Sequence, residues 1–180
     1  KSFITSAYDY DVPVYISTIK DSSLALNLAV HRLEDKKFDL DFVREIIEQA
    51  AIVYDSKKSG ILELGGGVPK NTAQQTGPLL DQILKRNDGG QEYIIQITDA
   101  RPDTGGLSGA TLQEGKSWGK IQDSHEGIVT VYADATIAFP ILALYVLSNQ
   151  KSREPKRLYK KIGKLYDKLS KDYFKNPSKQ

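Results

Sequence analysis

Lys120 follows Gly119 and the chain's single tryptophan, Trp118, in the run Gly115-Lys116-Ser117-Trp118-Gly119-Lys120-Ile121. A lysine amine attacks carbonyl and imine carbons once it is neutral; free lysine titrates near about 10.4, so its surroundings must disfavour the ammonium. Burial against an aromatic wall does that. The same indole face can hold a substrate cation, a contact worth about 0.5 to 2 kcal/mol. Glu114 lies one helical turn before Trp118, so a helix starting near Ser108 sets both on one face, with the Glu114 carboxylate suited to anchor an amine. Gly119 then ends or loosens this helix and lets Lys120 turn toward the same cavity. Two plainer readings stand beside this one: a glycine-flanked lysine on a solvated surface, and a tryptophan that is only a core or edge aromatic.

The elements that must position these residues follow from hydrophobic periodicity. Four β-prone segments, 12–18, 60–64, 93–98 and 128–132, each precede a helical pattern. This alternation predicts an α/β fold, a Rossmann-like layered arrangement with a mostly parallel sheet flanked by helices. The helices expected are 22–32; 40–55, with Phe42, Val43, Ile46, Ile47 and Ala50 on a repeating face; one through Leu79, Leu80, Ile83 and Leu84; and an apolar one after Asp134, continuous enough to be buried.

Parallel sheets bind ligands where the carboxyl ends of their strands meet the loops. Asp21, Gly65-Gly66-Gly67, Asp99-Ala100 and Ala133-Asp134-Ala135 fall at those places, which favours a nucleotide-sized site, although glycine and aspartate also serve there as turn and cap residues. The glycine triplet lets a ligand approach the backbone, and a helix beginning after Pro69 offers free amides. It is neither a Gly-x-Gly-x-x-Gly fingerprint nor a Walker loop. A dinucleotide fold has about six strands, so roughly half of one is expected elsewhere, in a missing N-terminal half or a second chain.

Composition bounds the rest. The 180 residues suffice for one domain with a real core. No cysteine is present, which excludes a disulfide framework and a thiolate metal site and fits a reducing, cytoplasmic setting. With only His31 and His125, no metal is expected; His31 reads as a helix boundary and His125 as part of a turn. The longest apolar run, 137–147, is too short to span a bilayer and contains Pro140. The lack of any methionine is read as the mark of a fragment or processed subunit. From Gln150 onward eleven lysines and arginines face three acids, which puts the tail near +8 and the body near −6 within a formal net charge of +2. Leu158, Ile162, Leu165, Leu169 and Tyr173 recur there at helical spacing, so an amphipathic helix packed by one face is expected rather than a nucleic-acid-binding arm.

Gly65-Gly66-Gly67-Val68-Pro69-Lys70, then Glu114 with Ser117-Trp118-Gly119-Lys120-Ile121, then Val131-Tyr132-Ala133-Asp134-Ala135 resemble, in this order, the C-terminal half of the deoxyhypusine synthase family. The match runs over residues 12–147. It implies that 1–149 are the C-terminal part of an NAD-binding domain and that 150–180 form a basic amphipathic helix and tail. It also implies an NAD-dependent transferase in which Lys120 is the catalytic lysine, forming an imine with the butylamine group of spermidine. Asp21, Asp99, Ala100, Asp134 and Ala135 would contact NAD, Asp99 standing where the family more often has threonine. Gly66, Asn71, Gly105, Gly106, Ser108, Glu114 and Trp118 would line the amine tunnel.

Three positions depart from the family pattern. Asn71 stands where the family has a histidine; Leu107 and Leu26, or Asn27 with the register shifted by one, stand where it has acids that hold polyamine nitrogens. Taking an ammonium out of water costs several kcal/mol without a compensating carboxylate, so these leucines imply a divergent member with a changed donor or acceptor. The partners implied are a polyamine, the hypusine-bearing translation factor, and a second chain carrying the N-terminal half in a homo- or hetero-tetramer, with neither nucleic acid nor membrane. A homospermidine synthase-like enzyme with a free diamine acceptor and a non-catalytic regulatory paralogue remain open; the retained Lys120, Glu114 and Trp118 count against the second.

Overall fold

A sheet of parallel strands carries the strand-end loops that matter for chemistry. In the computed structural model, which describes residues 2–86, 90–122 and 127–175, the elements run α1 (Phe3–Asp9), α2 (Ser23–Leu33), α3 (Phe42–Tyr54), β1 (Gly60–Leu64), α4 (Val68–Gln74), α5 (Thr76–Pro78), β2 (Tyr93–Thr98), α6 (Leu112–Ser117), β3 (Ile128–Tyr132), α7 (Ala135–Asn149) and α8 (Ile162–Lys175). The described strands form one open sheet in the order β1-β2-β3, and both pairings are parallel. The expected α/β class with a parallel sheet is therefore present. His125 and Lys179 lie outside the described residues.

Register sorts the side chains into two unlike faces. One face carries the row Ile61, Ile94, Ile128 and, nearer the carboxyl ends, the polar row Glu63, Gln96, Thr130. Helices cover it: Leu112 of α6 and Ile121 join Ile94 and Ile128 in a core cluster, and Gln74 of α4 reaches Glu63. The other face carries Leu62, Ile95, Val129 and Leu64, Ile97, Val131; all of these except Ile97 are at least one-third exposed. An apolar sheet face this open is a surface built to be covered.

A second core holds the outer helices. Ala50 and Ala51 of α3, Leu80, and Leu165 and Leu169 of α8 are buried together. Two alanines side by side let α8 approach α3 closely. Of the apolar residues recurring in the tail, Leu165 and Leu169 are buried on one face of α8, while Leu158 lies before that helix.

Three expectations fail for identifiable reasons. Residues 12–18 do not form a strand: Pro13 lacks an amide donor, β1 is an edge that pairs only with β2, and the Tyr15 hydroxyl instead donates to Glu48 of α3 at 3.4 Å. This arm is fastened to the tail, where Arg157 and Lys160 meet Asp11 at 2.6 and 3.1 Å. Asp21 consequently follows an irregular segment rather than a strand. The apolar helix after Asp134 exists as α7, but none of its residues is buried, and Ile137, Ile141, Leu144, Tyr145 and Leu147 are more than half exposed. Finally, the helix expected from near Ser108 starts at Leu112.

Candidate active site

Local capping explains where Lys120 stands. Thr111 Oγ1 accepts from the Glu114 amide at 3.2 Å, and Glu114 Oε1 accepts from the Thr111 amide and hydroxyl, so a capping box opens α6 and leaves 108–110 free as loop. Gly119 closes the helix at φ 69°. Its amide donates to Lys116 O and the Lys120 amide to Gly115 O, the two bonds of a Schellman ending. The Lys120 carbonyl accepts from Gln91 N at 3.0 Å. Both backbone groups of Lys120 are therefore pinned. Gly77 packs against this turn so tightly that a Cβ there would lie 2.7 Å from Gly119 O.

The Lys120 side chain enters a cavity of about 230 Å³ lined by Asn71, Leu107, Glu114 and Trp118, with Lys70 and Gln74 beneath. Asn71 lies on α4, and its Oδ1 accepts from Lys120 Nζ at 2.6 Å. Lys120 Nζ also lies 5.8 Å from the centre of the Trp118 ring, within cation–π range. Trp118 is 66% exposed and stands at the mouth of the cavity rather than as an inner wall. Leu107 fills part of the same wall, so Glu114 is the one carboxylate among the described lining residues.

A polar layer underlies the cavity. Lys70 and Glu63 are only 7% and 4% exposed. Lys70 Nζ donates to Ala110 O at 2.7 Å, and Gln74 Nε2 donates to Glu63 Oε1 at 2.6 Å, while Glu63 Oε2 is buried without a hydrogen bond. Burial pushes the Glu63 carboxyl up, against the pull of Gln74 and Lys70. Burial also pushes Lys70 down; Glu63 and Glu114 oppose this and Lys120 adds to it. Gln96 donates to Gly65 O and Ser108 O, tying the loop after β1 to the loop before α6. Gly66 then lies against Ser108, where a Cβ would meet Ser108 Cα at 2.7 Å. The sequence did hold one signal: a glutamate and a glutamine interrupt otherwise apolar strands. Gly105 and Gly106, at φ 72° and 82°, form the open turn beside them.

A second opening of about 570 Å³ lies between the ends of β2 and β3, lined by Asp99, Arg101, Pro102, Asp103, Tyr132 and Ala133. Ala133 N donates to Thr98 O and Ala100 N to Thr98 Oγ1, which sets these loops side by side. Asp134 caps α7, its Oδ1 accepting from the Thr136 hydroxyl and amide, and these bonds hold its carboxyl below the usual carboxylate range. An exposed carboxylate at a strand end can accept hydrogen bonds from ribose hydroxyls, and Asp99 offers one in this cleft; the start of α7 at Asp134 and Ala135 is not among the cleft's lining residues. Residues 99–108 connect the two openings, Asp99 in the cleft and Leu107 in the lysine cavity. Asp21 is not brought in: no hydrogen bond or ion pair among the described residues joins it to these loops.

With the lysine cavity and its strand-end loops in place, comparison with known proteins decides the family. A family model for deoxyhypusine synthase matches residues 1–146. The chain belongs to the deoxyhypusine synthase family. The deoxyhypusine synthase-like protein of Nostoc punctiforme is 45% identical over 175 residues, covering 94% of this chain and 45% of that protein. The probable deoxyhypusine synthase 2 of Methanosarcina acetivorans is 40% identical over 157 residues, covering 87% of this chain and 44% of that protein. For the probable deoxyhypusine synthase 1 of Archaeoglobus fulgidus the values are 39%, 147 residues, 82% and 45%. The chain spans about half the length of the curated relatives it matches. Of the departures from the deoxyhypusine synthase pattern, Asn71 and Leu107 line the lysine cavity. Leu26 is exposed on α2 and the Asn27 amide donates to Ser23 O.

Proposed function

We propose that this chain supplies the catalytic lysine of an NAD-dependent aminobutyl-type transferase. The observation that carries the reading is Lys120 itself, backbone-pinned, aimed into a cavity and bonded to Asn71, in a chain of this family. NAD, when bound, supplies the oxidant that accepts hydride from the carbon beside a secondary amine and returns it after transfer. Asp99 in the β2–β3 cleft, with Ala100, Asp134 and Ala135 on the adjoining loops, would hold it, and Asp21, which stands apart from these loops, is the remaining candidate contact. Lys120 attacks the resulting imine carbon, the departing diamine leaves, and the enzyme-bound imine waits for an acceptor amine. Glu114 holds a substrate ammonium, and Trp118, Gly66, Gly105, Gly106 and Ser108 shape the tunnel. A polyamine is the donor class.

A free diamine acceptor, as in a homospermidine synthase-like enzyme, is the second reading. Leu107 leaves Glu114 as the one carboxylate among the described lining residues, which points to a changed amine specificity without choosing between the two acceptors. Comparing putrescine, agmatine and the translation factor as acceptors separates the two. The bare sheet face and exposed α7 support a second polypeptide or chain half completing the site; a tetramer and a cytoplasmic setting belong to the same proposal. Intact-mass analysis of purified material would find that polypeptide, and reductive trapping at Lys120 tests the chemistry.

A further inference from the structure

We propose that Lys70 is a second catalytic lysine of this site, carrying the proton that transfer moves from the acceptor amine to Lys120. The proposal rests on the imine reading above. Among the described residues lining the cavity, the titratable groups are Lys70, Glu114 and Lys120. Asn71 is an amide and cannot take a proton at working pH. Glu114 already spends Oε1 on the cap of α6, and its negative charge is what holds a substrate ammonium; protonating it would release the substrate. Lys120 is the covalent carrier and cannot serve as its own base.

Lys70 has the required placement. The residue is buried, its amine donates to Ala110 O at 2.7 Å, and it lines the cavity it shares with Lys120. The charged groups facing it are Glu63 from β1, Glu114 from α6 and Lys120 from the turn after α6. Burial draws it toward the range where amine and ammonium exchange, as proton transfer requires.

The step balances without a redox partner. The acceptor nitrogen bonds to the carbon of the protonated Lys120 imine, giving an aminal whose new nitrogen carries the positive charge. Lys70 takes that nitrogen's proton and delivers it to Lys120 Nζ. The bond from carbon to Lys120 Nζ breaks, Lys120 leaves as a neutral amine, and the substrate keeps the imine. Lys70 ends as it began.

The test compares the parent protein, in its complete native assembly, with Lys70→Ala, Lys70→Met and Lys70→Arg, reading transfer rate, melting temperature and borohydride trapping. Lys70→Ala should slow transfer at least about 100-fold, the lower range for general acid–base catalysis. Trimethylamine and N-methylmorpholine, which cannot become acceptors, should restore rate to Lys70→Ala in order of basicity. Lys70→Met and Lys70→Arg, which keep the stem, should melt like the parent and stay slow. Transfer by these variants within threefold of the parent overturns the proposal, as does a slow Lys70→Ala whose rate ignores added base. A parent that traps no amine on Lys120 overturns the imine reading, and this step with it; a parent that traps normally leaves that reading standing whatever Lys70 does.

Discussion

Lys120 Nζ donates a 2.6 Å hydrogen bond to Asn71 Oδ1, so the lysine amine is oriented by a neutral amide on the helix that follows the glycine triplet. An amide orients an amine without adding charge. Asn71→Asp should therefore behave differently from Asn71→Ala. A carboxylate beside Lys120 favours its ammonium, so trapping of an amine on Lys120 should move to higher pH. Asn71→Ala should lose rate without that displacement, by about the 0.5 to 1.5 kcal/mol typical of a hydrogen bond between neutral groups. Trapping profiles against pH for both variants check this; coincident profiles would count against it.

The turn that delivers Lys120 depends on two glycines. Gly119→Ala forces a left-handed conformation on a side chain, at about 1 to 2 kcal/mol, and its Cβ meets only the flexible Gln82 amide at 2.9 Å. Gly77→Ala meets the Gly119 carbonyl at 2.7 Å, which backbone must move to relieve. Gly77→Ala should therefore impair catalysis more than stability alone explains, with kcat falling further than the melting temperature implies. Equal kcat in the two variants at matched stability would contradict this placement.

Much of this arrangement was legible in the sequence. The Trp118-Gly119-Lys120 run encodes a glycine ending, so the exit of Lys120 from helical phase follows from residue types alone, whereas the helix start was expected near Ser108 and the Thr111–Glu114 capping box that sets it at Leu112 was not read. The β1, β2 and β3 segments were legible for the same local reason. The 12–18 segment was not, because it has strand composition but carries Pro13 and is held by Tyr15 against α3 instead of pairing with a described strand. Burial of α7 was misjudged because apolar composition reports what a helix is made to cover, while the described chain holds nothing that covers it. Glu63, Gln74 and Gln96 escaped notice because their role arises from register, which aligns Glu63 with Gln96 across β1 and β2.

Glu63 makes stability depend on pH in a defined direction. Its folded carboxyl is raised above the ordinary 4.5 by burial, so the folded state binds the proton more tightly than the unfolded chain. The contribution is fully present below the unfolded value and is lost as pH rises through the folded one. Glu63→Gln keeps an oxygen for Gln74 and removes the titration. Urea midpoints from pH 4 to about 7 should fall for the parent relative to Glu63→Gln; parallel curves would show that the carboxyl is relieved in some other way.

The α3–α8 core gives a stability prediction independent of catalysis. Leu169 is 1% exposed and packs with Ala50, Ala51 and Leu80. Leu169→Ala should cost about 2 to 5 kcal/mol, whereas Lys171→Ala on the same helix should change stability by less than about 0.5 kcal/mol. Denaturant unfolding of both variants checks the contrast, and similar losses would mean α8 is not docked as described.

The chain alone should also self-associate through its bare sheet face. Leu62→Glu with Val129→Lys places opposite charges on two of the exposed positions, in the row that β2 bridges through Ile95. Sedimentation should shift from assembled species toward monomer in the double variant. A parent that remains monomeric at high concentration would remove the sheet face as an interface.

The most direct test of Lys120 is borohydride reduction during turnover with NAD and a polyamine panel, followed by peptide mass mapping. The expected result is an alkyl amine fixed on Lys120 in the parent, none in Lys120→Ala, and an unchanged fold in that variant. A parent that turns over while carrying no adduct, or an adduct that persists when Lys120 is replaced, would contradict the assignment of Lys120 as the imine-forming residue.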